Sequence, residues 1–187
     1  MRSAAEVGAR ALLAGRLVVH PTDTLYALAA RAVDRSAVAR LVAAKGRAPG
    51  RPLSVAVSSV EELERWAELS PLARRFVREE LPGPFTVLLR PSAEARRALA
   101  PEVAAGPTIG LRVPDHPLAR ELARRVGPNV VTSANRSGEP PVRDISQARR
   151  KLGRAVAAYV TAPPSPSGRP SAVVALTGAR PRRVPRQ

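Results

Sequence analysis

Small polar turns recur along the chain, and each adjoins a run of apolar residues that is typical of a β-strand. The turns occupy residues 21–24, 45–47, 51–54, 108–112, 132–135 and 168–171. Together they supply hydroxyls, an amide, backbone N–H groups and several fixed positive charges, with almost no carboxylate. Turns at the strand ends of one sheet tend to converge on a single crevice. The sequence therefore predicts a pocket for a phosphorylated or carboxylated anion.

Other catalytic signatures are absent from the sequence. It contains neither G-x-x-x-x-G-K-[ST] nor G-x-G-x-x-G, the two common phosphate-binding loops, and no G-x-S-x-G marks a hydrolase. Without cysteine, the chain has no thiol nucleophile, disulfide or cysteine-ligated zinc site. His20 and His116 are not spaced as metal ligands, and we interpret both as structural or surface residues. We expect no metal site built from protein ligands.

The chain is strongly basic, with 31 lysine and arginine residues, 15 aspartate and glutamate residues and a formal net charge of +16. This balance favours polyanionic partners such as RNA or nucleotides. Lys45 and Lys151 are the only lysines, so a lysine inside a polar motif is more informative than any arginine. Aromatic residues make up 3% of the chain, which disfavours a base-stacking platform and predicts that any RNA contact is to phosphates.

Length and hydrophobic content predict one folded unit. A chain of 187 residues with 44% hydrophobic residues can bury one sizeable core. No apolar run approaches the roughly 18 residues that cross a bilayer, and residues 1–15 lack the apolar stretch of a secretory signal. We therefore expect a soluble, cytoplasmic protein without membrane contact.

Predicted helices and strands are intermixed along the chain without strict alternation. This order predicts a single α/β domain, residues 1–187, in which helices flank a twisted sheet of mixed parallel and antiparallel strands. The predicted helix N-caps include Asp34, Ser70, Asp115 and Asp144. The basic tail, residues 178–187, is interpreted as a frayed end, with an arm that touches RNA as the alternative.

Six sequence blocks follow one another in a specific order. They are P-T-D-T-L-Y-A-L at residues 21–28, K-G-R at 45–47 with R-P-L-S at 51–54, L-P-G-P-F-T at 81–86, L-R-V-P-D-H at 111–116, T-S-A-N-R-S-G at 132–138 and P-S-A-V-V at 170–174. Each block alone is weak, but the ordered set resembles the signature of the YrdC-like family, the threonylcarbamoyl-AMP synthases. The resemblance spans residues 16–176, and the length is similar to that of the short, stand-alone members.

This resemblance implies an enzyme that joins L-threonine, bicarbonate and ATP into threonylcarbamoyl-AMP and releases pyrophosphate. A downstream threonylcarbamoyl transferase complex would use the product to modify adenosine 37 of tRNAs that read ANN codons. Mg²⁺ would be carried mainly by the ATP phosphates, because the motifs offer few carboxylates. Fixed cations and oriented reactants suit this reaction, since the anionic carbamate of threonine must attack a second anion.

The same resemblance implies roles for individual residues. The implied ATP-binding residues are Lys45, Arg47, Arg51, Thr108, Ser133, Ala134, Asn135 and Val142. Lys45 and Arg47 would be the catalytic cations, and Ala134 and Val142 would contribute backbone N–H groups. The implied residues for threonine and its carbamate are Thr24, Tyr26, Arg112, Thr132 and Ser171. Arg112 lies inside an apolar strand, where its charge needs an anion.

Several of these polar residues also have structural interpretations. Asp23 is expected to close an Asx-turn rather than to bind a metal. Tyr26 and Trp66 are typical core side chains whose polar tips need partners. Thr86 is interpreted equally well as a structural hydroxyl and as a functional one, and Asn135 is consistent with a turn residue.

Two other functions remain open from the sequence. One is a YrdC-like module with little or no catalysis that binds double-stranded RNA or ribosomes. The other is a carbamoyl-adenylate enzyme that uses carbamoyl phosphate, although that class is expected to carry additional zinc-finger and acylphosphatase elements. Ala27, Ala56 and Ala172 depart from the usual family pattern, which leaves room for a paralogue.

Overall fold

Helices and strands are intermixed in the computed structural model, which describes residues 3–48, 50 and 53–185. The helices are α1 (Ala4–Leu13), α2 (Arg35–Lys45), α3 (Val60–Trp66), α4 (Pro71–Glu80), α5 (Ala93–Ala98), α6 (Pro101–Ala104), α7 (Pro117–Val126) and α8 (Ile145–Leu152). The strands are β1 (Val18–Pro21), β2 (Tyr26–Arg31), β3 (Ser54–Ala56), β4 (Ala67–Glu68), β5 (Phe85–Pro91), β6 (Ile109–Arg112), β7 (Asn129–Ser133), β8 (Ala158–Tyr159), β9 (Ala172–Ala175) and β10 (Arg182–Val184). Within these described ranges, no helix has the length and apolar character needed to cross a bilayer.

Local capping signals fix the position of α2, which matters for the site. The Asp34 carboxylate accepts the Ala37 N–H at 2.9 Å and begins the helix. Gly46 adopts a left-handed conformation with φ 59° and ends it. Lys45 is therefore held at the last helical position, directly before a sharp change in chain direction.

Two local predictions from the sequence are wrong. Asp115 does not cap α7, which begins after His116, because its carboxylate accepts a hydrogen bond from Arg120 Nη1 at 2.8 Å instead. The tail, residues 178–187, does not simply fray, because its described part includes β10, which pairs antiparallel with β9. In both cases the local sequence pattern does not reveal the partner that decides the structure. The partner is an arginine side chain for Asp115 and the open edge of β9 for the tail.

The described strands form a mixed sheet in the order β10, β9, β5, β6, β3, β7, β2, β1 and β8, and β4 pairs with β5 outside this order. Most neighbours are antiparallel, whereas β1 with β8, β3 with β6 and β5 with β9 are parallel. The sheet and its flanking helices confirm the predicted fold class.

Strand register separates the apolar side chains onto two faces of the sheet. Leu28, Val55 and Leu111 belong to the main core, which also contains apolar residues of α2. Ala27 and Ala56 belong to a second core on the opposite face, together with residues of α1 and α7. We call this second face the site face, because the polar groups described below lie on it, beyond the part that packs against the helices.

His20 is a buried histidine in β1, and we expect it to weaken the fold in acid. It is 2% exposed, and its Nδ1 lies 2.9 Å from the Pro21 carbonyl oxygen. Burial is the main cause that lowers the pKa of His20 from 6.5 to about 4. Between these two pH values the unfolded chain binds more protons than the folded chain, so this contribution to stability is lost as the pH falls. The expected loss in the free energy of unfolding is about 3 kcal/mol.

Urea unfolding at pH 7, 5.5 and 4 tests this expectation, with His20→Asn as the comparison because an amide can still donate to a carbonyl. Between pH 7 and pH 4, the free energy of unfolding of the wild type should fall by more than that of the variant. Parallel pH curves for the two proteins would contradict the assignment of this effect to His20.

Candidate functional site

The hydroxyl of Thr22 organises the turn between β1 and β2. Thr22 Oγ1 accepts the N–H groups of Thr24 and Leu25 at 3.2 and 3.1 Å and donates to the Leu25 carbonyl oxygen at 2.7 Å. It also lies 3.0 Å from Thr24 Oγ1, and both hydroxyls are buried. The P-T-D-T motif therefore folds into a tightly bonded turn that presents the side chains of Asp23 and Thr24.

Arg112 is buried at the end of β6 and binds this turn. Its Nη2 donates to Asp23 Oδ1 at 2.7 Å, and its Nη1 donates to Thr24 Oγ1 at 3.2 Å. The side chains of Arg112 and Asp23 are 8% and 12% exposed. The anion that the buried arginine was predicted to need is therefore supplied, at least in part, within the protein. The sequence-based description of these turns as nearly free of carboxylate is correspondingly incomplete.

Asp23 does not close the predicted Asx-turn, because the Leu25 N–H that such a turn uses is donated to Thr22. Burial raises the pKa of Asp23 above 3.8, and this effect outweighs the nearby charge of Arg112, which lowers it. Asp23 Oδ2 is buried and accepts no hydrogen bond from the described residues. The carboxylate is thus held by one oxygen.

Lys45 lies against the end of β7. Its Nζ donates to the carbonyl oxygen and the Oγ of Ser133, at 2.6 and 3.0 Å, and to Asn135 Oδ1 at 2.9 Å. Asn135 Nδ2 in turn donates to the carbonyl oxygens of Arg136 and Glu139. An ammonium has three N–H donors, and these contacts use all of them. The T-S-A-N segment is therefore folded around the Lys45 charge.

Lys45 carries a buried positive charge at neutral pH. It is 3% exposed, and burial, followed by the charge of Arg47, lowers its pKa from 10.5 to about 8, while Glu139 opposes this shift. The ammonium form still predominates at pH 7. An anion that approaches this end of the sheet therefore meets a fixed cation.

Ser133 and Arg112 lie on the same face of the sheet but near opposite ends of it. Ala56 pairs with both Asn129 and Arg112, and alternation places Ser133, four residues after Asn129, on that same face. Four residues of strand correspond to roughly 13 Å. The contact between Arg112 and Thr24 then requires the turn after β1 to bend across the face. The turns therefore converge over a face of the sheet and not only at the ends of its strands.

Further hydroxyl groups lie near Arg112, because the register of β5 with β6 places Thr86 opposite Arg112. Thr86 Oγ1 and Ser171 Oγ are 2.9 Å apart, and both residues are buried. Ser54 pairs with Gly110 across β3 and β6. A Cβ atom at Gly110 would lie 3.4 Å from Ser54 Oγ and 3.5 Å from Thr86 Cγ2, so the glycine keeps the space between these side chains open.

A loop, residues 162–170, packs against the turn that carries Asp23. The backbone N–H groups of Ser167 and Gly168 donate to the carbonyl oxygens of Asp23 and Thr24 at 3.1 and 2.9 Å. These bonds fix the turn in addition to those made by Thr22. The loop therefore helps to hold the carboxylate of Asp23 next to Arg112.

Histidines do not form a metal centre with the neighbouring carboxylates. His20 lies against the carbonyl oxygen of Pro21, and His116 Nε2 lies 2.9 Å from the carbonyl oxygen of Pro164. The part of the chain that the structure describes contains no group of three or more histidine, cysteine, aspartate or glutamate residues arranged to hold a metal.

Three residues assigned by motif are not brought to the site face in the expected way. Thr132 pairs with Leu28 of the main core, and Tyr26 packs against the same core, so both side chains belong to the opposite face. Ala134 donates its N–H to the Tyr26 carbonyl oxygen at 2.9 Å, so this group completes the sheet instead of facing a ligand.

The other assigned residues differ in exposure. Thr108 is half-buried directly before β6, and Arg47 is half-buried just after α2. The Val142 side chain is buried in the main core, which leaves only its backbone to meet a ligand. Arg51 lies outside the described residues.

Sequence reasoning did not assign Asp23 to the site, and it left Thr86 undecided. Asp23 stands 89 residues before its partner Arg112. The available signal was the combination of a buried arginine that needs an anion with a carboxylate inside a polar turn. For Thr86, its position in the L-P-G-P-F-T block was the only hint, because its partner Ser171 lies 85 residues away.

Comparisons with known proteins identify relatives of this chain. A family model described as "Telomere recombination", which carries the names Sua5, YciO and YrdC, matches residues 10–187. A Mycobacterium tuberculosis protein (strain CDC 1551) with a provisional threonylcarbamoyl-AMP synthase name is 44% identical over 173 residues, which are 92% of this chain and 78% of the relative. A Chromohalobacter salexigens protein named threonylcarbamoyl-AMP synthase is 38% identical over 148 residues, 78% of each protein.

Among solved structures, the crystal structure of P. abyssi Sua5 complexed with L-threonine matches with a TM-score of 0.86 and 29% sequence identity. The match covers 95% of this chain and 52% of the Sua5 chain, so this chain spans about half the length of that protein. Fold, motif order and sequence identity agree, and the chain belongs to the Sua5/YciO/YrdC family.

Proposed function

We propose that this chain is an L-threonylcarbamoyladenylate synthase, which joins L-threonine, bicarbonate and ATP and releases pyrophosphate. The observation that carries the proposal is the position of two buried cations, Lys45 and Arg112, near opposite ends of one sheet face. A triphosphate near Lys45 and an amino-acid carboxylate near Arg112 would meet over the part of the face between them, where Ser54 pairs with Gly110 and Val131. The names of the relatives and the threonine complex of P. abyssi Sua5 support this assignment.

The proposed reaction has two steps. The threonine amine forms a bond to the carbon of bicarbonate and water leaves, which gives a carbamate. A carbamate oxygen then attacks the α-phosphorus of ATP, and the bond to pyrophosphate breaks. Because both partners are anions, fixed positive charges lower their repulsion. Holding the reactants in a reactive orientation contributes on the order of 7–11 kcal/mol.

Individual roles follow from this arrangement. Thr24 and Arg112 would bind threonine, and Ser171 would bind the carbamate. The proposed nucleotide contacts beside Lys45 are Arg47, Arg51, Thr108, Ser133 and Asn135. The departures at Ala27 and Ala56 are accommodated in the second core, where both methyl groups are buried beside the polar groups, since Ala27 pairs with Ser133 and Ala56 with Arg112.

Mg²⁺ fits this site as a companion of ATP. The carboxylate described at the site, that of Asp23, is already bound by Arg112, and the described residues contain no metal-binding cluster. Phosphate oxygens would therefore hold the ion, which would neutralise part of their charge.

Purified protein with ATP, Mg²⁺, bicarbonate and L-threonine should release pyrophosphate, and omission of threonine should reduce the release to background. A pyrophosphatase-coupled phosphate assay measures the rate, and mass spectrometry identifies threonylcarbamoyl-AMP. Carbamoyl phosphate in place of threonine and bicarbonate tests the carbamoyl-adenylate alternative. Salt-sensitive RNA binding without threonine-dependent pyrophosphate would favour the RNA-binding module instead.

In this proposal the product passes to a threonylcarbamoyl transferase complex that modifies adenosine 37 of tRNA. The basic surface implied by the net charge of +16 would then serve encounters with polyanions rather than the chemistry itself. This passage of the product is tested by mixing the protein with a purified transferase complex and measuring transfer of the threonylcarbamoyl group to tRNA.

A further inference from the structure

Asp23 Oδ2 is an acceptor that the fold does not use. It is buried and receives no hydrogen bond from the described residues, although Oδ1 is bound by Arg112. A buried carboxylate oxygen without a donor is destabilising, so its presence calls for an explanation. The backbone around it is well fixed, because Thr22 and Ser167 both bind the turn. The oxygen is thus held in place without contributing a bond to the folded chain.

The proposed reaction needs a base close to the threonine amine. An α-amino group is mostly protonated at neutral pH, and an ammonium has no lone pair with which to form a bond to carbon. The two histidines lie against the carbonyl oxygens of Pro21 and Pro164. Lys45 is itself protonated at pH 7. Asp23, beside the arginine proposed to bind the threonine carboxylate, is the described group with both the position and the unused acceptor.

Asp23 and Arg112 together also match the charges of an amino acid. A guanidinium pairs with a carboxylate, and a carboxylate pairs with an ammonium. The two side chains are in contact at 2.7 Å, and the Thr24 hydroxyl lies 3.2 Å from the same guanidinium. A threonine zwitterion placed across this pair would direct its ammonium to Asp23 and its carboxylate to Arg112.

We propose that Asp23 Oδ2 accepts a hydrogen bond from the α-ammonium of threonine and then takes its proton, an inference that rests on the proposed function. The proton transfer leaves a neutral Asp23 and a neutral amine. The amine lone pair then forms the bond to the bicarbonate carbon, water leaves, and Asp23 later returns its proton to solvent.

The surroundings of Asp23 are consistent with a base. The charged or titratable groups that act on it are Arg112, Asp115 and His116. Arg112 and His116 favour the ionised form, whereas burial and Asp115 raise the pKa of Asp23, with burial as the largest effect. A carboxylate that is more basic than usual is suited to accept a proton.

Asp23→Asn tests the proposal by turnover, with Glu79→Gln as the matched control. The asparagine can keep its bond to Arg112 through Oδ1, whereas Glu79 pairs with Arg75 on the exposed face of α4. At pH 7 the rate of pyrophosphate release by Asp23→Asn should fall about 100-fold or more. The ratio of wild-type to variant rates should shrink as the pH rises to 9, because the amine then loses its proton in solution. An unchanged rate, or a loss that is the same at every pH, would overturn the assignment.

Binding to the wild-type protein gives a second test that does not depend on the folding of a variant. The probes are L-threonine and its analogue with a hydroxyl in place of the amine, (2S,3R)-2,3-dihydroxybutanoate, together with the (2R) epimer, each titrated by calorimetry. If Asp23 receives the ammonium, the analogues should bind roughly 10- to 100-fold more weakly than threonine. Equal binding of threonine and an analogue would refute the contact with Asp23, while failure of threonine itself to bind would refute the proposed function.

Discussion

Lys45→Ala is expected to lower the rate of pyrophosphate release by about 100- to 1000-fold, the effect typical of losing one preorganised group that stabilises developing negative charge. The reason is the burial of the Lys45 ammonium among Ser133 and Asn135, where no other described lysine can replace it. Lys151 provides the matched control as the second lysine of the chain. It pairs with Glu139 and is one-third exposed, so Lys151→Ala should change the rate by only a few-fold. Equal losses in the two variants would contradict the placement of the phosphates near Lys45.

The pH dependence of the wild-type enzyme offers a second measurement of the same residue. Because the pKa of Lys45 is lowered to about 8, its positive charge is present below that pH and is lost above it. Activity should therefore decline as the pH rises through about 8. Stability should move the other way, since the unfolded chain binds more protons than the folded chain between pH 8 and 10.5. An activity decline that simply follows unfolding would contradict the role of the Lys45 charge.

Most of the fold could be predicted from local signals. Asp34 and Gly46 define α2 by capping and by a left-handed turn, and the buried strands β2 and β7 follow from runs of apolar residues. The strand β10 could not be predicted, because its R-R-V sequence has no strong strand signal and pairs only where β9 offers an open edge.

The site was predictable in composition but not in geometry. Sequence motifs selected Lys45, Ser133 and Asn135, which the structure brings into direct contact. They did not predict that Thr132 and Tyr26 lie on the other face of the sheet, because face assignment depends on register, and a shift of one residue reverses it.

Long-range pairing explains the remaining omissions. The contacts of Arg112 with the turn after β1 and of Thr86 with Ser171 each join positions more than 80 residues apart. A single sequence does not reveal which distant residues are in contact. The one guide is the rule that a buried charge requires a partner. Applied to Arg112, that rule demanded an anion but did not decide between a substrate and a side chain. The structure supplies Asp23, and the proposed function places threonine beside it.

Arg112→Met is expected to destabilise the fold as well as to abolish threonine-dependent turnover. Removing one partner of a buried ion pair leaves an uncompensated charge, which typically costs about 3–5 kcal/mol. Here the remaining charge is that of Asp23, whose side chain is 12% exposed. The free energy of unfolding in urea at pH 7 should fall by about that amount. The loss should shrink as the pH is lowered, because a raised pKa lets Asp23 bind a proton in the folded state before it does so in the unfolded state.

The double variant Asp23→Asn, Arg112→Met separates stability from function. Replacing the stranded carboxylate with a neutral amide should recover part of the lost free energy of unfolding, so the two substitutions should be non-additive. Turnover should not recover, because both groups proposed to bind the threonine zwitterion are then missing. A double variant that regains activity would show that Arg112 serves only to neutralise Asp23. Additive losses of stability would show that the pair is not coupled in the folded protein, despite the 2.7 Å contact between Arg112 Nη2 and Asp23 Oδ1.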